Sequence, residues 1–593
     1  MKNRNKNRLI TNIYKYSVLI ICTMIISGLF LIGLTSTSAI TLMEHVYFLK
    51  DNVLVNILLV VITLLVVMIL GNLPFTAKIR GKINSDERLF RMIKFILAEV
   101  IFALTLAWVL STQYNSWADA NDVREAAKAA VGGSFDAFLP GGYMEIYHNQ
   151  YGLFLFDMLL ELIFKDASLV AFQVINAFSV FGIYLALDDI AKSNGMKESG
   201  RIMLLLLGVI WYPVILYASF CYGNIPSLVC ALWAVAFELK FLNKGGIIKA
   251  AAAGLLIALA VALKGTSIIF LIGMFIYALI AGHEKRKYFR MIFAAALVLV
   301  FLGQSFMVKE TVAAVTKADL SQGQSAFAWI AMGLQESDRA PGWFNEYNAE
   351  SYAQSGYNTD AQAEMAKENI GERIESFTGN KVYAASFFLR KIASSWNEPT
   401  FQSVWILRGS DIEIPKNIRN FDSIAGYAKQ IPVADFMYMF ILLGVLLFLL
   451  FGRNDVRMYE RLLLPMIFVG GFVFLLFWEA KAQYSILYFI CLLPTAVEGW
   501  SLILPKTDDY EEESEAEDDN GENSGKRRSK KEKEQKLHVR LIDRVKKNFY
   551  VFCALLLIVV LSIAFSVKGI TADITDGDAD FEQYVSDNYD WIE

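Results

Sequence analysis

The feature that most limits the fold is a series of apolar runs of about 20 residues, each long enough to cross a bilayer. Thirteen such spans are predicted, at about 15–37, 53–72, 92–112, 167–188, 201–220, 225–243, 247–263, 266–282, 288–306, 433–452, 460–478, 482–503 and 549–568. Lipid offers no partner to backbone N–H and C=O groups, so each span must bond internally as a helix. The expectation is an all-α polytopic membrane protein with about 13 spans and an extracytoplasmic loop domain. With 55% hydrophobic and 19% charged residues, against roughly 45–50% and about 25% in soluble domains, the chain is no ordinary cytosolic enzyme, disordered protein or nucleic-acid binder. Cys22, Cys221, Cys230, Cys491 and Cys553 lie within or at the ends of the runs and form no CxxC pairs. The four histidines are scattered. Neither a disulfide framework nor a metal site is indicated, and no cofactor is expected.

Charge sorting sets the expected orientation. The first run follows MKNRNKNR. It is too long for a signal-peptide core and lacks a clear A-x-A site, so it reads as a retained span with a cytoplasmic N-terminus. The run at 151–164, YGLFLFDMLLELIF, is short and holds Asp157 and Glu161. If it does not cross, the short inner loops carry 22 Lys and Arg and the short outer segments 6. The positive-inside rule favours that parity and predicts a multi-pass cell-membrane protein with its site on the outer face.

The chain divides accordingly. Residues 1–91 hold two extra spans and a basic cytoplasmic loop, and 92–306 a membrane core with a first outer loop at 112–150. Residues 307–432 mix Trp329, Trp343, Phe387, Phe388, Trp396 and Trp405 with polar residues. Such aromatics are rare in linkers, so this segment is an outer loop domain. Spans at 433–503 close the core. Residues 504–548, an acidic block followed by a basic one, form a disordered cytoplasmic linker, and 549–593 the last span and an outer tail.

Several outer-face residues have the chemistry of a site. Asp119 and Asp122 open an Ala-rich helix that Gly132-Gly133 ends. The positive helix N-terminus favours a carboxylate there, and the sequence leaves open whether Asp119 caps the helix or does acid–base work. PGGYMEIYHNQYG brings Tyr147, His148 and Gln150 to the membrane surface, either as an aromatic belt or as a sugar-binding edge. Lys264, in VALKGTSII, sits in a nearly loopless junction beside Gly265, Thr266 and Ser267. A lysine there suits a phosphate, a reading favoured over snorkelling to the headgroups because ionisable residues at such depths are functional by default. FFLRKIASSWNEP adds Arg390 and Glu398, and FWEAKAQYS adds Glu479 and Lys481. Together these give cations for an anionic lipid headgroup and carboxylates for acid–base chemistry.

In order, these motifs resemble the GT-C superfamily of polyprenyl-phosphate-sugar glycosyltransferases. The chain looks most like bacterial relatives of the protein O-mannosyltransferases and of the lipid A aminoarabinose transferases. The resemblance covers about 92–503. It rests on Asp119 in the first outer loop, on Tyr143, Tyr147, Asn149 and Gly152, on the phrase WIAMGLQESDRAPGWFN, and on Lys264. It implies a GT-C-like bundle that moves a sugar from a polyprenyl-phosphate donor to an extracytoplasmic acceptor. Asp119 or Asp122 would be the catalytic carboxylate. Lys264, Arg390, Glu398, Glu479, Lys481, Gln150, His148 and Tyr147 would bind substrate. An acidic residue common in the superfamily after the span matching 201–220 is replaced by Asn224, a weak metal ligand, so a divalent metal is not supported. The alternatives are a lipid-linked sugar flippase or transporter, which would place ionisable groups near the midplane, and a catalytically inactive member.

Overall fold

The computed structural model describes residues 2–284, 288–404, 408–452, 456–504 and 573–588. Residues 505–548 of the linker and the last predicted span lie outside the described residues. Among the described residues nine helices are long and apolar enough to cross a membrane, ten if the bent pair Glu198–Ile210 and Pro213–Ser219 is one span. Two shorter apolar helices, Ile247–Leu263 and Leu463–Phe477, fill further predicted spans. The chain is an all-α integral membrane bundle with two small two-stranded ribbons.

The differences from the sequence expectations are local. The first helix, Lys2–Thr35, stops where Ser36–Ile40 pairs with Val46–Lys50 as an antiparallel hairpin. Much of the basic loop at 73–91 is helical, as Pro74–Ser85. Asp86 then caps Glu87–Thr112, accepting from the Arg88 and Leu89 amides at 2.9 and 3.0 Å. The span at 201–220 bends by 57° where Pro213, which has no N–H, opens the next helix. The loop domain is shorter than predicted, because Ile292–Thr316 runs past 307 and Ile424–Phe451 begins before 433. Its helices close over buried Trp343, Tyr352, Phe387 and Trp396.

The apolar run His148–Ser193 has 46 residues, roughly 69 Å if straight, more than twice the hydrocarbon thickness of about 30 Å. It breaks at Lys165, whose φ is +50°. Gln150, before the Tyr151–Phe164 helix, bonds Tyr222. Ser168, after it, accepts from Arg124 on the Asp119–Val131 helix at 3.5 Å. The far end of Ser168–Ser193 carries Asp188, bound to Lys94 and Arg201. Tyr151–Phe164 therefore enters and leaves on one face, and Ser168–Ser193 crosses.

That same face gathers the hairpin, the 113–150 loop, the 220–223 corner, the Lys264 junction, residues 317–404 and 408–423 and the turn at 478–481. Hydrogen bonds join them, from the Ser38 amide to the Asn397 carbonyl at 3.0 Å and from the Gln324 amide to the Ile146 carbonyl at 3.1 Å. The described tail joins them too, with the Gly577 amide 2.9 Å from the Phe48 carbonyl.

Candidate functional site

Asp119 is the first residue of its helix. The preceding Ala118 has φ +48° and makes no side-chain cap hydrogen bond. A non-glycine residue is rarely held there without a surrounding structure that enforces it. The Asp119 Oδ2 atom instead accepts from the Tyr222 hydroxyl at 3.1 Å. Tyr222 in turn accepts from the Gln150 amide. Tyr222 reaches this position through the corner at Gly223, whose φ is +76° and where an added Cβ would lie 2.3 Å from the Leu263 carbonyl oxygen. The close approach seats the Lys264 ammonium 3.8 Å from the Tyr222 ring centre and 5.4 Å from that of Tyr484, a cation–π arrangement. Lys264 is 7% exposed. Burial lowers its ammonium to about 8, while Asp119 and Glu479 pull it up.

The other half of the site is the turn at 478–481. The Glu479 Oε2 atom accepts from the Tyr484 hydroxyl at 3.1 Å. Burial pushes the Glu479 carboxyl up to about 7, with the charges of Asp119 and Glu44 adding and Lys481 opposing. Lys481 pairs with Glu44 at 3.0 Å, and Arg339 also binds Glu44. Burial works against the Lys481 ammonium, but Glu44, Glu479 and Asp119 hold it above its ordinary range. Partial burial, then the charge of Asp119, raises the Asp122 carboxyl. Burial, then Asp119, Glu479 and Asp122, raises the Tyr147 hydroxyl.

The loop domain holds that turn in place. The Ala480 amide donates to the Gly342 carbonyl at 2.8 Å. Gly342 has φ +75°, and a Cβ there would sit 2.6 Å from the Gly333 carbonyl oxygen. The Lys391 ammonium bonds the Gly333 and Trp478 carbonyls, and burial lowers it to about 7. Trp329 stacks on Trp478 at 5.8 Å with 4° between the planes. The phrase around Trp329, Gly333 and Gly342 is thus the scaffold beneath Glu479 and Lys481.

The structure brings together Asp119, Asp122, Tyr147, Gln150, Lys264, Glu479 and Lys481. Three other candidates lie in different arrangements. Arg390 is paired with Glu336 at 3.0 Å. Glu398 is fully buried and accepts from the Thr400 hydroxyl at 2.6 Å, the Gln402 amide at 2.6 Å and the Tyr427 hydroxyl at 3.0 Å. It shapes the turn that presents Gln402 to the Gln483 amide, behind the site. His148 turns into a separate cavity of about 410 Å³ with Asn149, Gln304 and Lys309. Tyr222, Glu44 and Arg339 are residues that sequence reasoning missed. Among the described residues no group of three His, Cys, Asp or Glu side chains could hold a metal ion.

Bundle and site together define a polytopic membrane protein whose polar site is built at one end of its spans. The chain belongs to the family described as conserved hypothetical integral membrane protein, whose model matches residues 8–502. No curated protein matches the chain.

Proposed function

We propose that the protein is a membrane glycosyltransferase that moves a sugar from a polyprenyl phosphate to a hydroxyl acceptor on the outer face of the cell membrane. The observation that carries this reading is the juxtaposition of Asp119, oriented by Tyr222, with Lys264 seated on the same tyrosine ring. One carboxylate, able to take a proton, and one cation, able to meet a phosphate, are held by a single aromatic side chain. Asp119 takes the acceptor hydroxyl proton as that oxygen bonds the anomeric carbon. The bond from that carbon to the phosphate oxygen breaks, and its electron pair leaves with the polyprenyl phosphate. Lys264 and Lys481 offset the charge of the departing phosphate. Clustering at one end of the spans favours interfacial chemistry over transport, which places its groups at the midplane.

Envelope glycans compared between cells carrying the wild-type chain and cells carrying Asp119→Asn test the reading. Loss of one glycan component supports it, and identical envelopes overturn it. For the orientation, Asp136→Cys and Glu350→Cys, both exposed, should each react with an impermeant thiol reagent in intact cells lacking native cysteines. Labelling of only one contradicts it.

A further inference from the structure

A second polar site lies away from Asp119, between the Val53–Asn72 and Ile424–Phe451 helices. Val53–Asn72 stands at the edge of the bundle, with Gly71 its one buried residue. A cleft of about 390 Å³ separates the two helices, roofed by the hairpin and by the Asp578–Asp587 helix of the tail. That volume is in the range of small-molecule sites. Its lower walls are apolar, with Leu59 and Val60 facing Phe436, Met439 and Leu443. Its upper end holds Asp51, Asp435 and Asp578, with Lys50 on the rim.

Among the described residues the charges there are unbalanced. Asp435 is 9% exposed, and among those residues its Oδ1 atom is buried without a hydrogen-bond partner. Asp435 lies in the first turn of the apolar stretch predicted at 433–452, the depth at which headgroups give way to acyl chains. An ionisable residue at that depth is costly without a counter-charge. Asp51 accepts from the Thr37 hydroxyl at 2.8 Å and Asp578 from the Lys50 amide at 2.8 Å, both neutral donors. Pro432, inside the helix, has no N–H to give the carbonyl of Ala428, and both residues line the cleft. The upper end is therefore rich in acceptors and poor in donors. The described carboxylates do not group as a metal site. The geometry suits a larger cation with several N–H donors, carried on something with an apolar tail.

We infer that this cleft binds a lipid with a primary-amine headgroup, its ammonium received by Asp435 at the acidic upper end, its phosphate facing Lys50, and an acyl chain lying between the two helices. The ammonium makes charge-assisted hydrogen bonds to the Asp435 carboxylate with Asp51 and Asp578 adding negative charge nearby, and the aliphatic and aromatic walls cover the chain. This site stands independently of the glycosyltransferase reading.

The test is lipid retention by the purified full chain in mixed vesicles, read by native mass spectrometry. Wild type should retain phosphatidylethanolamine over phosphatidylglycerol by about tenfold or more. Phosphatidylcholine, whose headgroup nitrogen has no N–H, should be retained less well. Asp435→Asn removes a buried charge, so it should fold normally and lose the preference. Asp578→Asn, on the exposed tail helix, should lose part of it. Equal retention of the three lipids would overturn the proposal, as would an unchanged preference in Asp435→Asn. Displacement of the bound lipid by free ethanolamine at matched concentration would assign the site to a soluble amine and overturn its lipid part.

Discussion

The two ends of the bundle treat a carboxylate in opposite ways. At one end Asp188 is gripped by the Arg201 fork, Nε to Oδ1 and Nη2 to Oδ2 both at 2.7 Å, and by Lys94 as well. Arg201 lies 4.5 Å from the Phe90 ring centre. Both carboxylate oxygens accept from cationic donors, and the arrangement ties three helices together. At the other end Asp119 accepts from a tyrosine hydroxyl, while the nearby ammonium of Lys264 rests on ring faces. The first geometry spends charge on cohesion. The second holds a carboxylate and a cation close without letting them neutralise each other, which leaves both able to act on a third group.

This contrast can be broken by substitution. The largest effect is expected for Asp119→Asn. The side chain keeps its size and an oxygen for Tyr222, and it caps nothing, so melting should stay near wild type. Sugar transfer should fall by roughly 10²–10⁴-fold. Asp122→Asn should cost much less, and a reversal of the two would move the base to Asp122. At the other end Asp188→Asn should do the opposite. It leaves buried Arg201 without its counter-charge, a change worth about 3–5 kcal/mol of stability. Transfer per folded molecule should be unchanged. A silent melting curve would show that the Asp188 cluster is not structural.

Glu479 sharpens the comparison through pH. Its folded carboxyl titrates at about 7, above an unfolded value near 4.3. The folded state therefore binds the proton more tightly. That contribution is complete below the unfolded value and is lost as pH rises towards 7. Glu479→Gln removes the loss. The variant should melt with wild type at pH 4 and above it at pH 8, by up to about 4 kcal/mol. Parallel melting at both pH values would mean that the Glu479 carboxyl binds its proton no more tightly in the folded state than in the unfolded one. Lys264→Met should be the mildest. Removal of one charge-assisted contact to a phosphate should weaken donor binding by about ten- to a hundredfold and leave the fold intact. Normal turnover at limiting donor would reduce Lys264 to an interfacial anchor.

Much of this was legible in the sequence because membrane helices announce themselves by length and composition. Short junctions between spans have few residues, so a charge in one, such as Lys264 or Lys481, has few places to point. Asp119 was legible as a helix start, and its release from capping was not, since that depends on the backbone at Ala118. Glu44 and Arg339 were missed because their pairings span 437 and 295 residues, and no local pattern marks a contact that depends on how loops pack. Arg390 and Glu398 looked like site residues because they flank the membrane edge, but the turn at 398–402 and the partner Glu336 absorb them. His148 and Gln150 are two residues apart, yet the 3₁₀ turn His148–Gln150 sends one to a separate cavity and the other to Tyr222.

The most direct test of the central claim is a single-turnover assay. The purified full chain, in lipid nanodiscs, is mixed with labelled polyprenyl-phosphate sugars and a hydroxyl acceptor, at equal folded amounts of wild type, Asp119→Asn and Asp188→Asn. The account predicts sugar transfer by wild type and by Asp188→Asn at similar rates, and a loss of roughly 10²-fold or more in Asp119→Asn. Equal transfer by wild type and Asp119→Asn would contradict it, as would release of sugar by none of the three from any donor in the set.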